Sequence, residues 1–478
     1  MRSRFFLVGS ALLAGVLLLV SPAAAVTGGR PGEGGPYQVK DLRLVSGASP
    51  FAGGCPGARF DDQTITGHEL EPAITVNPAN PRNIVAAWKQ DVGTANQTRS
   101  DLVASSLDGG RTWTRSTIPG LTVCTGGTAD SGSDPWVAAG GDGTVYFSGL
   151  AADISTDPPT TAVVASRSRN GGRTWRRPAT VAAPLQGNET DSVTANPTRA
   201  GHAYVAWANF IVPSLPRANT VEFSRTTDRG ATWSPPVLVD QPGPFQIDQS
   251  PRILVLPDGT LLAVFARADL QTGLGTLHAA RSLDEGRSWL PAVQAGAKPI
   301  PQDLVDPETG IPLPQPGFPS AAVAPDGTVY IAFEDSTSAT SGAIGVLRSR
   351  DGGRTWTSTT LPGVRGFAFE PAIAVDAHGT VGVTWYDLRN DRPGDAALTA
   401  DVWFAHSRNR GRSWRQIHVA GPTNLRTAPL PAHNYVGEYQ GLAGLPRGRG
   451  FAAVFTLAAP QAKDGPTDIF FARIEPGR

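Results

Sequence analysis

The sequence has no excess of charge of either sign and no run of like charges. Its 478 residues include 41 Lys plus Arg and 41 Asp plus Glu, which gives a formal net charge of +0 at pH 7. A nucleic-acid-binding surface needs a basic excess, and a membrane-surface patch needs clustered charge of one sign. We therefore expect no nucleic-acid partner and no such patch.

Common catalytic signatures and helical patterns are also missing. Neither G-x-S-x-G nor H-E-x-x-H occurs, and the glycine-rich stretches are turn sequences rather than phosphate loops. No stretch repeats its apolar residues with the helical period of about 3.6. These absences argue against the enzyme classes that use those motifs and against a helical fold.

Only one long apolar run is present, at residues 5–20. Two arginines precede it, and the small residues of 21–25 follow. This order predicts a secretory signal peptide over residues 1–25, with a mature protein that begins near Val26. A membrane anchor is the alternative, but the run is short for a span and no stop-transfer segment follows. We expect a secreted, extracellular protein without membrane insertion.

The chain has only two cysteines, Cys55 and Cys124. In an exported protein a single pair most simply forms one disulfide. This bond would join the N-terminal segment to the loop after the first repeat described below. A two-cysteine metal site is the alternative, but neither a C-x-x-C motif nor clustered histidines accompany the pair.

An octapeptide occurs six times. "SRDGGRTW" occupies residues 349–356, and close copies lie at 106–113, 168–175, 226–233, 282–289 and 407–414. Each copy follows three runs rich in β-branched, aromatic and small apolar residues, with turn residues between them. A catalytic motif is normally needed once, so the repetition indicates architecture. The pattern predicts an all-β fold.

The repeated units have the length and strand number of propeller blades. They begin near seven residues: Glu71, Asp134, Asp191, Asp248, Phe318, Glu370 and Glu438. Spacings of roughly 50 to 70 residues with four short strands suit propeller blades. The seventh unit lacks a fourth strand, which residues 37–46 would supply, closing the ring. We predict one seven-bladed β-propeller, with six blades as the alternative, in which residues 26–69 hold the closing strand and 70–478 the blades.

The octapeptide joins the third strand of a unit to the fourth, so it is a hairpin connection. Its Asp or Asn bonds backbone amides, the glycine at its fifth position suits a positive φ, and its Trp offers apolar surface. At these residues the chain resembles the Asp box, or bacterial neuraminidase repeat, of the sialidase-like propeller superfamily. The resemblance covers essentially the whole mature chain and implies the propeller fold. In that superfamily the motif lies away from the active sites.

Strand parity separates two faces of the predicted disc. The first strand of each unit starts at the face that we call upper, so the octapeptides and the short first-to-second turns lie at the lower face. The second-to-third loops of the upper face are long: 89–101, 149–161, 209–219, 334–342 and 387–400. Long loops on a rigid scaffold concentrate binding residues, so we expect the functional site at the upper face.

A ring of carboxylates is predicted at that face. Six first strands have an acidic residue at or just before their start: Glu71, Asp134, Asp191, Asp248, Glu370 and Glu438. Six acids at one channel mouth repel unless they are protonated, bound to a cation or paired with arginine. Shifted pKa values, a calcium ion or acid–base chemistry would each follow. The alternative for any one acid is that it caps backbone amides.

Further candidates lie in two clusters and in the fourth unit. "WYDLRND" at 385–391 and "HNYVGEYQG" at 433–441 combine tyrosines with charged residues, and two arginines follow the fourth unit's first acid. The candidates are Tyr386, Asp387, Arg389, Tyr439, Arg252 and Arg267. Each has a structural alternative: an Asp–Arg pair in a turn, a packed tyrosine beside a capping acid, or an arginine that pairs with an acid.

The resemblance implies roles for these residues. Sialidases clamp a substrate carboxylate with three arginines and use a Tyr backed by Glu as nucleophile and an Asp as acid–base catalyst. Carried over, the clamp is Arg252, Arg267 and Arg389, the nucleophile Tyr386 or Tyr439, its partner Glu370 or Glu438, and the acid Asp91 or Asp134. Asp387 joins the catalytic candidates, while Glu71, Asp191 and Asp248 join the substrate-binding ones. One departure is "LEPAI" at 70–74, where the family has Arg-Ile-Pro.

Three functions remain open from the sequence. They are a sialidase-like exo-glycosidase, another glycoside hydrolase or lyase on the same scaffold, and a non-catalytic propeller that binds a glycan or a protein. We expect a monomer that acts on a glycan or glycoconjugate. No cofactor is required by this interpretation, although the acidic ring would accommodate calcium.

Overall fold

The computed structural model describes residues 36–93, 96–157, 159–209, 220–300, 305–311, 313, 318–335, 342–364, 367–429 and 436–477. The predicted signal peptide, residues 1–25, lies outside the described residues. Almost all regular structure in the described part is β-strand, with short 3₁₀ turns at Asp61–Gln63, Val123–Thr125 and Leu425–Thr427. Within these ranges no helix is long and apolar enough to cross a membrane.

The described strands form seven four-stranded antiparallel sheets, each of which is one blade. Numbered along the chain, the outermost strand of the seventh blade is β1 (Tyr37–Leu44). The innermost strands are β2 (Glu69–Val76), β6 (Ser131–Ala139), β10 (Asn188–Ala195), β14 (Gln246–Val255), β18 (Ser320–Val323), β22 (Ala368–Val375) and β26 (Gly441–Gly444). Each contacts the innermost strand of the next blade, and β26 contacts β2, so the ring closes.

The remaining strands lie outside these in sequence order. The second strands are β3 (Ile84–Gln90), β7 (Val145–Asp153), β11 (Ala203–Asn209), β15 (Leu261–Asp269), β19 (Val329–Glu334), β23 (Val381–Asp387) and β27 (Phe451–Ala458). The third are β4 (Ser100–Ser106), β8 (Thr160–Ser168), β12 (Thr220–Thr226), β16 (Leu274–Ser282), β20 (Ile344–Ser349), β24 (Thr399–Ser407) and β28 (Thr467–Pro476). The fourth are β5 (Thr114–Thr117), β9 (Ala179–Leu185), β13 (Val237–Asp240), β17 (Val293–Ile300), β21 (Thr357–Thr360) and β25 (Arg415–Asn424).

The seventh blade combines the two ends of the described chain. Strand β1 pairs antiparallel with β28, in the sheet order β1-β28-β27-β26. The Tyr37 hydroxyl donates to Asp376 at 3.2 Å, and its ring centroid lies 4.3 Å from that of His406, so β1 also contacts the sixth blade. The predicted closing strand and seven blades are confirmed, and the alternative of six is not.

The hydrophobic core consists of separate clusters, each of which lies between two neighbouring blades. Val85 and Val103 of the first blade, for example, pack with Phe147 and Trp175 of the second. Similar clusters lie between the other neighbouring pairs, including the seventh and first blades. Alternate side chains of a strand point to opposite faces of its sheet, so each blade supplies apolar residues to two clusters. Burial therefore depends on the complete ring.

The octapeptides form the third-to-fourth connections and are held by their own side chains. The Ser106 hydroxyl accepts the Gly110 N–H at 2.8 Å, and Asp108 accepts the N–H and hydroxyl of Thr112 at 3.0 and 2.7 Å. The indole N–H of Trp113 donates to the Gly110 carbonyl at 3.1 Å. These bonds hold the loop closed and turn the indole towards the blade.

Contacts between turns confirm the assignment of the lower face. The Asn83 amide, in the first-to-second turn of the first blade, donates to the Gly171 carbonyl in the second blade's octapeptide at 2.9 Å. The octapeptides and the short turns therefore share one end of the blades. The innermost strands begin at the other end, as the strand parity predicts.

One disulfide joins the N-terminal segment to the first blade's exit. Cys55 and Cys124 are bonded, with their Cα atoms 5.3 Å apart. This confirms the prediction from the cysteine count. The bond closes a long loop, which restricts the unfolded chain more than a short loop would.

We predict that Tyr37→Ala will strongly destabilise the ring. Tyr37 is 2% exposed, lies on the seventh blade and contacts the sixth. Truncation of a buried aromatic side chain typically lowers the free energy of unfolding by about 3–5 kcal/mol. Tyr37→Phe, which removes only the hydroxyl, should cost about 1 kcal/mol. Denaturant unfolding measures both, with the exposed Lys40→Ala on the same strand as control. If Tyr37→Ala unfolds like the control, β1 does not stabilise the closure.

We predict unequal effects of the same substitution in two octapeptides. Gly286 and Gly230 both have positive φ, 81° and 73°, so alanine is strained by about 1–2 kcal/mol at either. A Cβ at Gly286 would also lie 2.2 Å from the Phe223 ring, whereas at Gly230 the nearest atom is 3.5 Å away in Tyr146. Gly286→Ala should therefore lower stability by about 1–3 kcal/mol more than Gly230→Ala. Equal midpoints in urea would contradict this.

Candidate functional site

A backbone distortion recurs at the upper end of five innermost strands. The register against the second strand shifts there, and one non-glycine residue adopts a positive φ of about 50°. These residues are Glu71 (56°), Asp134 (54°), Thr190 (52°), Ser250 (54°) and Glu370 (49°). Bulges of this kind redirect a side chain, and strained non-glycine residues cluster at functional sites.

The bulges correct the predicted alignment of two blades. The positions equivalent to Glu71 and Asp134 are Thr190 and Ser250, not Asp191 and Asp248. A proline follows four of the five strained residues, at 72, 135, 251 and 371. That X-Pro pattern marks the equivalent position in four blades, so it was a usable signal for the alignment.

Hydrogen bonds link the bulges of neighbouring blades. Asp134 accepts the backbone N–H of Thr190 at 2.9 Å, and the Thr190 hydroxyl accepts the N–H of Ser250 at 3.0 Å. Glu334 of the fifth blade likewise accepts the N–H of Glu370 of the sixth at 2.8 Å. Some of the acids therefore do cap backbone amides, which was the alternative to a functional ring. Asp134 does so while its other oxygen accepts the Ser133 hydroxyl at 2.6 Å.

A buried lysine lies among the acids. The ammonium of Lys89, on β3, is 3.3 Å from Glu71 and donates to the Asn96 side chain at 2.9 Å, and its side chain is 1% exposed. Burial alone would lower its pKa, but Glu71, Asp134 and other carboxylates raise it, so the lysine stays charged. The sequence patterns did not predict this residue. Its only signal was a lysine in an otherwise apolar strand, "IVAAWKQ".

Several acids of this cluster hold protons near neutral pH. Burial raises the pKa of Glu438 to about 8, and Glu71 and Asp134 add to the shift; burial and Asp134 raise that of Glu189 to about 8 as well. Burial also raises the pKa of Asp101, whose carboxyl lacks a hydrogen-bond partner in the described part of the chain, well above its usual range. Asp101 and Glu189 were not predicted.

Two further predicted acids belong to the same region. Burial, together with Asp134, raises the pKa of Asp191 well above its usual range. Burial, together with Glu334 and Glu71, does the same for Glu370. We call the whole set the acidic cluster: Glu71, Asp101, Asp134, Glu189, Asp191, Glu370 and Glu438. Among the described residues, no three His, Cys, Asp or Glu side chains are arranged to hold a metal ion.

An aromatic and cationic layer crosses the channel next to these acids. The Arg252 guanidinium lies 3.9 Å from the centre of the Trp136 ring and 6.0 Å from that of Tyr439. The Tyr439 ring contacts Trp136 and Phe318, with centroids 5.4 and 6.0 Å apart, and its hydroxyl donates to the Pro135 carbonyl at 3.4 Å. Burial raises the Tyr439 pKa well above its usual range. Four blades supply this layer.

The residues of "WYDLRND" make other contacts. Arg389 donates to both carboxylate oxygens of Asp387 and lies 3.9 Å over the Trp403 ring, towards the outer strands. The Tyr386 hydroxyl donates to the Thr456 carbonyl at 2.8 Å and accepts its N–H at 2.9 Å, which joins two blades. These contacts give all three predicted residues a structural explanation.

Asp248 and Arg267 form an ion pair with each other. Arg267 donates to both oxygens of Asp248, at 2.6 and 2.8 Å, and also contacts Asp240 on the previous blade. The pair links the two blades beside the channel. The guanidinium of Arg267, like that of Arg389, is therefore already paired with carboxylates of this chain.

Asp91 directly follows β3 of the first blade and connects that blade to the N-terminal segment. It is 0% exposed and accepts hydrogen bonds from the Ser49 hydroxyl at 2.6 Å, the Gly67 N–H at 2.8 Å and Arg99 at 3.0 Å. The segment before β2 is thereby tied to the first blade. These contacts give Asp91 a structural role.

Solved structures match this chain in fold. No protein-family model matches the sequence, and no curated protein is significantly similar to it. A protein of unknown function from Dyadobacter fermentans matches over 92% of this chain and 99% of its own, with 14% identity and a TM-score of 0.52. A Trypanosoma rangeli sialidase matches over 92% and 59%, with 14% identity and a TM-score of 0.47.

A third match is an α-L-arabinofuranosidase from Fusarium graminearum, over 72% of this chain and 93% of its own, with 14% identity and a TM-score of 0.46. At such identities the likeness concerns the fold alone. The resemblance predicted from the octapeptides is confirmed at that level, and the chain is a seven-bladed β-propeller.

Proposed function

We propose that this chain is a glycoside hydrolase whose active site is the acidic cluster. The observation that carries the proposal is that carboxyls with a pKa of about 8 lie beside a carboxylate paired with a buried lysine. Cleavage of a glycosidic bond by acid–base catalysis needs a group that holds a proton at neutral pH and a second group that does not. The resemblance of the octapeptides to the sialidase-like superfamily supports the same reaction class.

Glu438 is the proposed proton donor. With a pKa of about 8 it is protonated at neutral pH and can protonate the leaving oxygen of a glycoside. Glu71, held by Lys89 at 3.3 Å, supplies negative charge to the developing oxocarbenium ion. Asp134, fixed by the Ser133 hydroxyl, is the proposed base for the attacking water. Tyr439 keeps its proton and serves as a hydrogen-bond donor.

The proposed substrate is a neutral glycan. A three-arginine clamp would favour a sugar carboxylate, but Arg267 and Arg389 are each bound to an aspartate of the chain. Sugar hydroxyls, in contrast, donate hydrogen bonds to carboxylates readily.

We propose that the protein works outside the cytoplasm. The signal-peptide pattern at residues 1–25 and the Cys55–Cys124 disulfide support export, since disulfides persist in oxidising compartments. N-terminal sequencing of protein recovered from the culture medium tests this. A mature N-terminus near Val26 is expected. Protein that stays in the cell with residues 1–25 still attached would contradict the proposal.

We predict that Glu438→Gln and Asp134→Asn will each lower kcat/KM on a cleaved neutral glycan by about 10²–10⁴-fold, because each removes a proton-transfer group. Neutral oligosaccharides, uronic-acid glycans and sialosides form the screen for cleavage. Glu222→Gln is the matched control, since burial also raises the pKa of that carboxyl, which lies on β12 outside the acidic cluster. It should retain wild-type activity within about twofold.

The same screen separates the remaining functions. Cleavage of sialosides alone would restore the sialidase interpretation, and binding without cleavage would indicate a non-catalytic propeller. If folded wild-type protein neither binds nor cleaves any glycan, the proposal fails.

We also predict that stability falls as pH rises across the acidic cluster's titration. The Glu438 carboxyl has a pKa of about 8 when folded and 4.5 as its ordinary value, so between these pH values only the folded state keeps the proton. The free energy of unfolding therefore decreases with pH, by up to about 1.4 kcal/mol per unit for each such proton. Urea unfolding from pH 5 to 8 should show this slope, and Glu438→Gln should reduce it. An equal reduction by the exposed Asp62→Asn would contradict the assignment.

A further inference from the structure

A cavity of about 620 Å³ extends into the channel from the lower face, opposite the acidic cluster. Its mouth is formed by the prolines of four lower turns, Pro197, Pro257, Pro325 and Pro446, and its inner end by Arg252 and Trp136. We call this cavity the lower funnel. Its volume suits a ligand of small-molecule size.

The walls of the lower funnel are mostly aliphatic. They are formed by side chains of the innermost strands and the residues just after them, among them Ile253, Leu254, Ala321, Val323, Val375 and Leu445. Besides Arg252 the charged residue of the lining is Asp376, which already accepts four hydrogen bonds, from the N–H groups of His378, Thr380 and Gly450 and the hydroxyl of Tyr37. An apolar body can therefore enter without leaving a polar wall group unpaired.

Among the described residues, the cation at the inner end has no matching anion in contact with it. Arg252 is 7% exposed, and its single hydrogen bond within the described ranges runs from Nη1 to the Pro251 carbonyl at 3.3 Å. None of the described carboxylates lies within ion-pair distance of it. A buried guanidinium that lacks a partner is unfavourable, and it becomes favourable when an anion binds.

The nearest acids do not remove this deficit. Burial lowers the pKa of Arg252 to about 10, so the guanidinium remains charged at neutral pH. Asp191 and Asp134 interact with it through space, but neither carboxylate lies within ion-pair distance of the guanidinium, and burial raises the Asp191 pKa well above its usual range. The positive charge at the end of the funnel therefore persists.

We propose that the lower funnel binds an amphipathic carboxylate, with the carboxylate on Arg252 and the apolar chain between the aliphatic walls. The planar guanidinium, stacked on Trp136 at 3.9 Å, presents its remaining N–H groups in the fork that a carboxylate matches. The apolar chain buries the walls that the funnel now exposes to water. The site is separate from the proposed catalytic one, because it opens on the other face.

Calorimetric titration of the folded protein with decanoate, and with 1-decanol as the neutral ligand of equal chain length, tests this proposal. Wild type should bind decanoate at least about tenfold more tightly than decanol, since charge-assisted bonds are the stronger class. Ala321→Phe fills the funnel and should abolish binding of both ligands. Ala231→Phe adds the same ring at an exposed octapeptide position of the lower face and should leave both affinities unchanged.

Arg252→Met isolates the contribution of the charge. It keeps an apolar side chain of similar length, so decanol binding should persist while the preference for decanoate is lost. Equal wild-type affinities for the two ligands, or decanoate binding that survives Ala321→Phe, would overturn the proposal. Glu438→Gln should lose the proposed hydrolase activity and retain decanoate binding. Failure of the decanoate site can therefore be distinguished from failure of the proposed hydrolase site.

Discussion

Ring closure is the constraint on which the other features of this propeller depend. Each blade has apolar side chains on both of its faces, and the buried clusters lie between neighbouring blades rather than within one. An open array would leave two of these faces in water, together with an unpaired strand edge. The pairing of β1 with β28 completes the last blade, and the contact between β26 and β2 completes the ring.

Closure also produces the electrostatic problem at the upper face. Because the innermost strands converge on one channel, acids that are far apart in sequence become neighbours. The chain resolves their repulsion in two ways, by burying Lys89 beside Glu71 and by leaving carboxyls such as Glu438 protonated. Strained bulges then fix where the side chains point. A crowded ring of this kind separates the pKa values of its members, which is what acid–base chemistry requires.

The layer of Arg252, Trp136 and Tyr439 lies between the two ends of the channel. On its upper side are the acids, and on its lower side is the funnel bounded by aliphatic walls and proline turns. The octapeptides on the lower face do not enter the channel, since they connect the third and fourth strands. The same ring therefore offers two environments of opposite character, one acidic and one apolar with a single cation.

The sequence alone determined the local and repetitive features. The spacing of the octapeptides predicted the blades, the incomplete seventh unit predicted the closing role of residues 37–46, and two cysteines predicted their bond. These features depend on short segments and on the number of repeats and cysteines, so they can be predicted from the sequence. The residues that share the acidic cluster were decided by tertiary structure. A bulge moves a side chain to another position in the channel, which is why Thr190 and Ser250 align with Glu71 where Asp191 and Asp248 were expected. The charge of Lys89 and the protonation of Glu438 depend on neighbours from several blades, and an arginine such as Arg389 reveals its aspartate partner only when the loop is folded. Such properties arise from proximity between distant segments, which strand patterns do not contain.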